Sequence, residues 1–256
     1  MKKIAIINQK GGVGKTTSVI ELAASLHDLG KRVLIIDFDQ QCNLTQYNGI
    51  ETDKKSIYDV ICGKLPALDA IQKCAKYDII AGSEKLSKAD REFIDHDDIY
   101  LLSDTIDIVS EQYDYIFIDN NPARNILLTM AFVAADYIIA PTECDDGGIS
   151  GVITTYKDLN KLRESRNQLS HAEILGIILT KFEKTSMHSM ALETLVEFID
   201  EKMKEKPTLY TVRKSIAASE AKKMNQSLQE FKKYSTVAVD YRKIANDIVE
   251  KENGGQ

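Results

Sequence analysis

The sequence predicts an α/β fold, a mostly parallel, twisted β-sheet with helices on both faces. Short apolar runs alternate along the chain with stretches of helical periodicity, an order typical of parallel strands joined by right-handed helical crossovers. Most of these runs are continuously apolar, which indicates strands covered on both faces. A glycine-rich segment follows the first run, and two later runs end in aspartate.

Six apolar runs are predicted strands, and a seventh, weaker one lies near the C-terminus. The predicted strands span residues 4–8, 33–37, 78–81, 115–119, 137–140 and 175–180, with the weak strand at 209–212. The predicted helices span residues 17–29, 99–112, 123–135, 151–163 and 188–203. Residues 50–100 are the least regular stretch, and we expect helices and loops there.

Length and composition predict a single domain over residues 1–256. No apolar run approaches the roughly 18 residues of a membrane span. The run behind the basic N-terminus, residues 4–7, is too short for a signal peptide. The four scattered cysteines form no C-x-x-C pair, so we expect reduced thiols in a cytoplasmic protein.

The charge of the chain is distributed unevenly. The net charge is −6, yet residues 202–243, called the basic region below, contain eleven Lys/Arg and only four acids. The rest of the chain carries 22 basic and 35 acidic residues. Such an asymmetry indicates a polyanion-binding face on an otherwise acidic body.

The glycine-rich segment lies between the first predicted strand and the first predicted helix, which is the context of a phosphate-binding loop. Its glycines let the backbone bend and turn N–H groups toward phosphates at the positive end of the helix. Lys15 is placed to reach the β- and γ-phosphates, and the Thr16 hydroxyl to bind Mg²⁺. The predicted ATP-binding loop consists of Lys10, Gly11, Gly12, Val13, Gly14, Lys15, Thr16 and Thr17.

The loop departs from the common pattern G-x-x-x-x-G-K-[ST], because Gln9 occupies the first glycine position and Lys10 follows it. K-G-G-V-G-K-T-T resembles the deviant Walker A motif of the ParA/MinD group of P-loop ATPases. In that family the early lysine, here Lys10, reaches the partner's ATP across a nucleotide-sandwich homodimer and offsets the charge of two facing ATPs. The resemblance implies an ATP-dependent dimer in which Lys10 and Lys15 are catalytic.

Two carboxylates, Asp37 and Asp39, close the second predicted strand at the sheet edge where α/β proteins bind ligands. This segment resembles the family's D-x-D-P-Q-x-N motif, with Gln40 in place of the proline. The resemblance implies that Asp39 orients or activates the attacking water. It also implies that Asp37 supports the magnesium shell.

The fourth predicted strand is apolar and ends in Asp119, which is the form of a Walker B motif. This resemblance implies that Asp119 holds Mg²⁺ through water. The family usually continues D-x-P-P, whereas this chain has Asn120 and Asn121 before its proline. That difference affects what we expect of the switch loop that follows Asp119 and of the hydrolysis rate. It does not affect the expected binding of nucleotide. The stretch at 176–182 resembles the strand that borders the adenine, which implies that Thr180 and Lys181 contact ATP.

The basic region resembles the last third of ParA-type partition ATPases at residues 211–215, 219–221 and 241–243. In that family basic residues here bind DNA without sequence preference in the ATP-bound dimer, and such binding weakens steeply with salt. A solvated lysine face is the alternative interpretation. The predicted DNA contacts are Arg213, Lys214, Lys222, Lys223, Lys232, Lys233, Arg242 and Lys243.

The last predicted helix separates two branches of the family. Its apolar stripe consists of Tyr241, Ile244, Ala245, Ile248 and Val249. Because the polar face is mixed in charge, the stripe favours docking against the core over the basic membrane-targeting helix of the MinD type. Residues 250–256 are predicted to form a frayed tail, and the absence of an N-terminal helix-turn-helix extension is typical of the short, Soj-like form.

The leading hypothesis is a DNA-partitioning ATPase of the nucleoid. ATP drives dimerisation, the dimer binds DNA, and a ParB-like partner stimulates slow hydrolysis of ATP to ADP and phosphate. One alternative is a MinD-like membrane-associated positioning ATPase, which the last helix disfavours. The other is a metabolic enzyme on the same fold. A nitrogenase-type reductase is disfavoured because no cysteine pair is present to bridge a cluster, and an amide ligase leaves the basic region without a role.

Overall fold

The computed structural model describes residues 1–50 and 55–253, and within them one eight-stranded sheet runs through the molecule. The strand order is β3-β4-β2-β5-β1-β6-β7-β8, and every neighbouring pair is parallel except β3 and β4. The strands are β1 (Lys2–Ile6), β2 (Val33–Phe38), β3 (Gln72–Lys73), β4 (Asp78–Ile80), β5 (Tyr115–Asn120), β6 (Tyr137–Thr142), β7 (Glu173–Phe182) and β8 (Thr208–Arg213). The mostly parallel sheet confirms the predicted fold class.

Helices connect the strands and cover both faces of the sheet. The α-helices are α1 (Lys15–Asp28), α2 (Asn43–Tyr47), α3 (Ile57–Ile61), α4 (Ala67–Ala70), α5 (Ala89–Glu92), α6 (Leu101–Val109), α7 (Ile126–Ala134), α8 (Asp146–Arg163), α9 (Ser186–Lys202), α10 (Ile216–Lys223), α11 (Leu228–Phe231) and α12 (Thr236–Asn253). Short 3-10 helices span Glu84–Lys88, Asp98–Tyr100 and Ser110–Gln112.

The two faces of the sheet carry separate hydrophobic cores, because successive side chains of a strand point to opposite faces. On one face Ile4 and Ile6 of β1 pack with residues of α1 and α12. On the other face Ala5 packs with residues of α6, α7, α8 and α9. The β1, β2 and β5 side chains in both cores are almost fully buried, as expected for continuously apolar parallel strands.

The parallel strands bring the predicted functional segments to one edge of the sheet. Asp37 of β2 lies opposite Asp119 of β5 in the strand register, and Ile6 at the end of β1 also lies opposite Asp119. The glycine-rich loop, both aspartates and the loops after β6 and β7 therefore meet at the carboxyl ends of the central strands, where open α/β sheets bind ligands.

Helix α8 begins at Asp146, five residues before the predicted start. Its first turn contains Gly147 and Gly148, which have low helix propensity and conceal the helix in the sequence. The side chain of Asp145 caps this helix by accepting a hydrogen bond from the Gly148 N–H at 2.7 Å. The helix start is thus determined by the cap rather than by apolar periodicity.

Residues 55–100 form short helices as expected, but they also contain the edge strand β3, which was not predicted. Residues 51–54 lie outside the described residues. The predicted frayed tail at 250–256 is wrong in part, because α12 continues through Asn253. Residues 254–256 lie outside the described residues.

Helix α12 buries its apolar stripe against the sheet face that carries α1, which confirms the predicted docking. Tyr241, Ile244, Ala245 and Ile248 are all at most 3% exposed. Within the described residues no helix has both the length and the apolar content to cross a membrane. All four cysteines are free thiols, as predicted.

Candidate functional site

The glycine-rich loop turns tightly between β1 and α1. Gly12 and Gly14 have φ angles of 79° and 91°, in the left-handed region that favours glycine. Lys15 begins α1, is only 8% exposed, and donates from Nζ to the Lys10 carbonyl oxygen at 3.1 Å. Its side chain curls back over the loop, at the helix N-terminus where phosphates bind.

The start of the loop is held by Asn8, a residue that the sequence did not single out. Its buried amide donates to the Pro141 carbonyl oxygen at 2.9 Å, and its Oδ1 accepts from the Lys10 N–H at 2.8 Å. Helix α8 approaches so closely that a Cβ atom on Gly151 would lie 2.0 Å from Asn8 Oδ1. The backbone of α8 therefore supports the phosphate loop directly.

Thr16 and Asp119 form the contact expected of a magnesium site. The Thr16 hydroxyl donates to Asp119 Oδ2 at 2.7 Å. The other carboxylate oxygen, Oδ1, is buried and has no hydrogen-bond partner among the residues that the structure describes. Burial, followed by the negative charge of Asp37, raises the pKa of Asp119 to about 8. A cation at this point would supply the partner that the buried oxygen lacks.

The donors at this site suit Mg²⁺, which proteins commonly bind through one or two carboxylates together with substrate phosphates. Within residues 1–50 and 55–253, no group of three or more His, Cys, Asp or Glu side chains is arranged to hold a metal alone. Thr16 and Asp119 would hold the ion, with phosphate oxygens and water completing its shell. The ion would neutralise charge on the β- and γ-phosphates.

Asp37 is fully buried beside this pair and is held by its own partners. The Thr45 N–H and hydroxyl both donate to Asp37 Oδ2, at 2.8 and 2.6 Å. The Gly82 N–H in turn donates to Thr45 Oγ1 at 2.8 Å, and a Cβ on Gly82 would lie 2.9 Å from the Asp37 carboxyl carbon. Burial raises the pKa of Asp37 to about 6. Thr45 and Gly82 are site residues that the sequence did not indicate.

Asp39 follows β2 at the rim of the same site and is 8% exposed. Its Oδ1 accepts from the Gln41 N–H at 2.9 Å, which fixes the turn despite Gln40 in place of proline. Burial lowers the pKa of Lys15, whereas the negative charges of Asp119 and Asp39 oppose that change. Lys15, Asp39 and Asp119 thus form one electrostatic group around the phosphate position.

Lys10 lies at the outer rim, where its ammonium group is ion-paired. It contacts the Asp145 carboxylate, and Glu143 Oε2 lies 3.9 Å from its Nζ. The Lys10 ammonium group lowers the pKa of Asp145. Lys181 pairs with Glu143 from the other side. The side chain of Lys10 remains 30% exposed, so it is accessible at the edge of the molecule.

A cleft of about 490 Å³ opens beside the phosphate loop. Gly12, Gly14 and Thr17 form its floor, and Thr180 and Lys181 border it. The Thr180 hydroxyl lies 3.0 Å from the Val13 carbonyl oxygen, which ties the end of β7 to the loop. The remaining wall comes from residues 212–216, Ala218, Ser219, Lys222, Val237 and Tyr241. Its size and position suit the ribose and base of a nucleotide.

The predicted DNA contacts do not form one uniform cluster. The Arg213 guanidinium group makes two hydrogen bonds to the buried Asp240 carboxylate, at 2.8 and 2.7 Å, and Lys214 pairs with Glu183 at 3.1 Å. Both residues line the nucleotide cleft, as does Lys222. Of the others, Lys223, Lys232, Lys233 and Lys243 are exposed, whereas Arg242 is half-buried and donates to the Lys233 carbonyl oxygen at 2.8 Å.

The sequence matches known partition proteins over its whole length. A family model described as AAA domain matches residues 1–171. The chain is 28% identical to the chromosome partitioning protein ParA of Caulobacter vibrioides, covering 100% of this chain and 97% of that protein. It is 30% identical to the sporulation initiation inhibitor protein Soj of Bacillus subtilis, covering 86% of this chain and 89% of that protein.

Two solved structures resemble the fold over almost the whole chain. A putative plasmid partition protein from Borrelia burgdorferi bound to AMPPNP superposes with a TM-score of 0.81 at 27% identity, covering 98% of this chain and 99% of that one. Apo McdA of Cyanothece has a TM-score of 0.85 at 24% identity, covering 96% and 99%, and this likeness concerns the fold alone. By its family match and its relatives, this chain belongs to the AAA-domain family and is a P-loop ATPase of the ParA/MinD type.

Proposed function

We propose that this protein is a DNA-partitioning ATPase whose ATP-bound form is a homodimer. The observation that carries the proposal is the position of Lys10. Its ammonium group lies outside its own phosphate loop, at an accessible rim, and pairs there with Asp145. A lysine so placed can exchange an internal carboxylate for the phosphates of a second subunit's ATP.

The proposed cofactors are ATP and Mg²⁺. The loop N–H groups and Lys15 bind the β- and γ-phosphates, and Thr16 and Asp119 hold the ion. Asp37, which Thr45 holds in place, supports the magnesium shell. Asp39 holds the attacking water at the rim. Lys15 and Lys10 stabilise the charge that develops on the transferred phosphoryl group, which is the largest catalytic term expected for such a reaction.

The ATP-bound dimer binds DNA through the basic region without sequence preference, and a ParB-like partner stimulates slow hydrolysis. This proposal is supported by full-length similarity to ParA and by the excess of lysine in residues 202–243. We place the protein at the nucleoid rather than at a membrane, because α12 buries the apolar stripe that a membrane-targeting helix requires.

The proposal is tested by measuring molar mass in solution with ATP, with ADP and without nucleotide. We expect ATP alone to convert the monomer to a dimer, and Lys10→Ala to abolish the conversion. The matched control is Lys73→Ala, because the Lys73 side chain is 80% exposed on the edge strand β3, away from the phosphate loop. A normal ATP-dependent dimer of Lys10→Ala refutes the assigned role of Lys10.

A further inference from the structure

We propose that DNA is contacted by a groove between α10 and residues 231–235, with the ring of Tyr234 laid against the DNA. This inference rests on the proposed function. The groove, called the α10 groove below, has a volume of about 830 Å³ and is lined by residues 215–217, Glu220 and residues 231–235. It is open to solvent along the basic region.

Tyr234, which is the most exposed large hydrophobic side chain of the described residues, and Ile216 both line this groove. Tyr234 is 88% exposed and Ile216 is 76% exposed. Within the described residues, the Tyr234 side chain makes no hydrogen bond and no ring contact. Tyrosine combines a large apolar ring with a polar tip, and it is enriched where proteins contact other molecules. At the lip of the α10 groove, the Tyr234 ring is accessible for such a contact.

The charge around the groove is complementary to a polyanion. Residues 214–235 contain five lysines and two glutamates, in a chain of net charge −6. Lys222 and Lys223 are exposed, and neither forms an ion pair within the described residues. The pairs that Lys232 and Lys233 make, with Glu220 at 3.5 Å and with Asp28 at 3.8 Å, are long. Such exposed pairs are weak, so these lysines can turn to phosphates.

Helix α10 is a wall shared by the groove and the nucleotide cleft. Its residues 216, 217 and 220 line the α10 groove, and residues 216, 218, 219 and 222 line the cleft beside the phosphate loop. A shift of α10 when the cleft fills would therefore change the groove directly. This arrangement supplies a physical route by which nucleotide occupancy can control DNA binding.

DNA fits this surface better than a lipid bilayer does. The exposed apolar side chains lie on separate elements around a concave surface, whereas a bilayer is bound by one broad apolar face. Lysines beside an exposed aromatic ring suit the backbone of duplex DNA, because the cations neutralise phosphates while the ring packs against the sugars.

The test is equilibrium binding of the full chain with ATP and Mg²⁺ to random-sequence duplex DNA across a salt series. We expect Tyr234→Ala to weaken binding at least about fivefold at every salt concentration, since truncation of an aromatic side chain that anchors an interface has an effect of this size. The salt slope should stay unchanged because the ring releases no counterion. Tyr234→Phe should bind as the wild type does. Lys232→Gln combined with Lys233→Gln should instead flatten the slope by about 0.9 for each phosphate that is no longer neutralised.

Tyr100→Ala is the matched control, because Tyr100 is 38% exposed and lies outside the basic region. Wild-type binding with an undiminished Tyr234→Ala variant overturns this inference and leaves the proposed function intact. A wild type that does not bind DNA with ATP overturns both. Tyr234-dependent binding to vesicles of phosphatidylglycerol and phosphatidylcholine, with no such dependence on DNA, assigns the groove to membranes and overturns the inference.

Discussion

The phosphate-binding edge and the basic region hold their charged groups in different ways. At the edge, Lys15, Asp37 and Asp119 are at most 8% exposed, and most of their polar atoms have fixed partners. In the basic region, Lys222 and Lys223 are exposed and make no ion pair within the described residues. The edge is thus built for a ligand of defined geometry, whereas the basic region suits a long polyanion of variable sequence.

Substitutions of charged residues should therefore have different effects in the two regions. A buried group at the edge acts on binding, catalysis and stability together, because its neighbours are left unpaired when it is removed. An exposed lysine acts on the salt dependence of DNA binding alone. Arg213 lies in the basic region but resembles the paired groups of the phosphate-binding edge, since its guanidinium group pairs with the buried Asp240.

The largest expected effect is the loss of nucleotide binding in Lys15→Ala. Lys15 is the buried cation of the loop, and removing such a partner from a charged group costs about 2–5 kcal/mol. We expect affinity for a fluorescent ATP analogue to fall on the order of 100-fold. Lys73→Ala should bind normally. Unchanged affinity in Lys15→Ala contradicts the phosphate site.

The next effect separates hydrolysis from binding at the same edge. Asp39→Ala should retain ATP but hydrolyse it at least about 100-fold more slowly, because the water loses its positioning carboxylate. Single-turnover hydrolysis and analogue binding are measured on the same preparation. The control is Asp69→Ala, an exposed residue of α4. Normal turnover in Asp39→Ala removes Asp39 from the mechanism.

A smaller effect tests whether α8 supports the loop. Gly151→Ala places a Cβ 2.0 Å from Asn8 Oδ1, so we expect the free energy of unfolding to fall by about 1–3 kcal/mol in denaturant titrations. Gly147→Ala is a control on the same helix, because its Cβ would meet no atom closer than 3.5 Å. Equal stability of the two variants refutes the close approach.

The smallest expected effect distinguishes two residues of the basic region, Arg213 and Lys223. Arg213→Gln leaves Asp240 buried and less well paired, and we expect it to lower the free energy of unfolding by about 1 kcal/mol. It should leave the salt slope of DNA binding unchanged. Lys223→Gln should do the reverse, with normal stability and a shallower slope. A reduced salt slope of DNA binding in a stable Arg213→Gln variant would instead show that Arg213 contacts DNA.

The sequence allowed the fold and the phosphate loop to be predicted because both depend on local patterns. Residues 10–17 are contiguous, and parallel strands necessarily bring Asp37 and Asp119 to one edge. The partners of these groups could not be predicted in the same way. Asn8 meets Gly151 from far along the chain, and no sequence period indicates such an approach.

The support of Asp37 by Thr45 and Gly82 could not be predicted from the sequence either. It depends on a threonine in the short helix α2 and on a glycine just beyond β4, in a part of the chain without clear periodicity. In the basic region, composition indicated the charge correctly but not its pairing. Asp240 lies 27 residues after Arg213, and only the packing of α12 beside β8 brings them together.

Control of a salt-dependent DNA surface by nucleotide is tested by one binding experiment. The affinity of the wild-type chain for random-sequence duplex DNA is measured across a salt series with ATP, with ADP and without nucleotide. We expect tight binding only with ATP, falling steeply as salt rises. Equal binding in all three states, or binding insensitive to salt, would contradict this expectation.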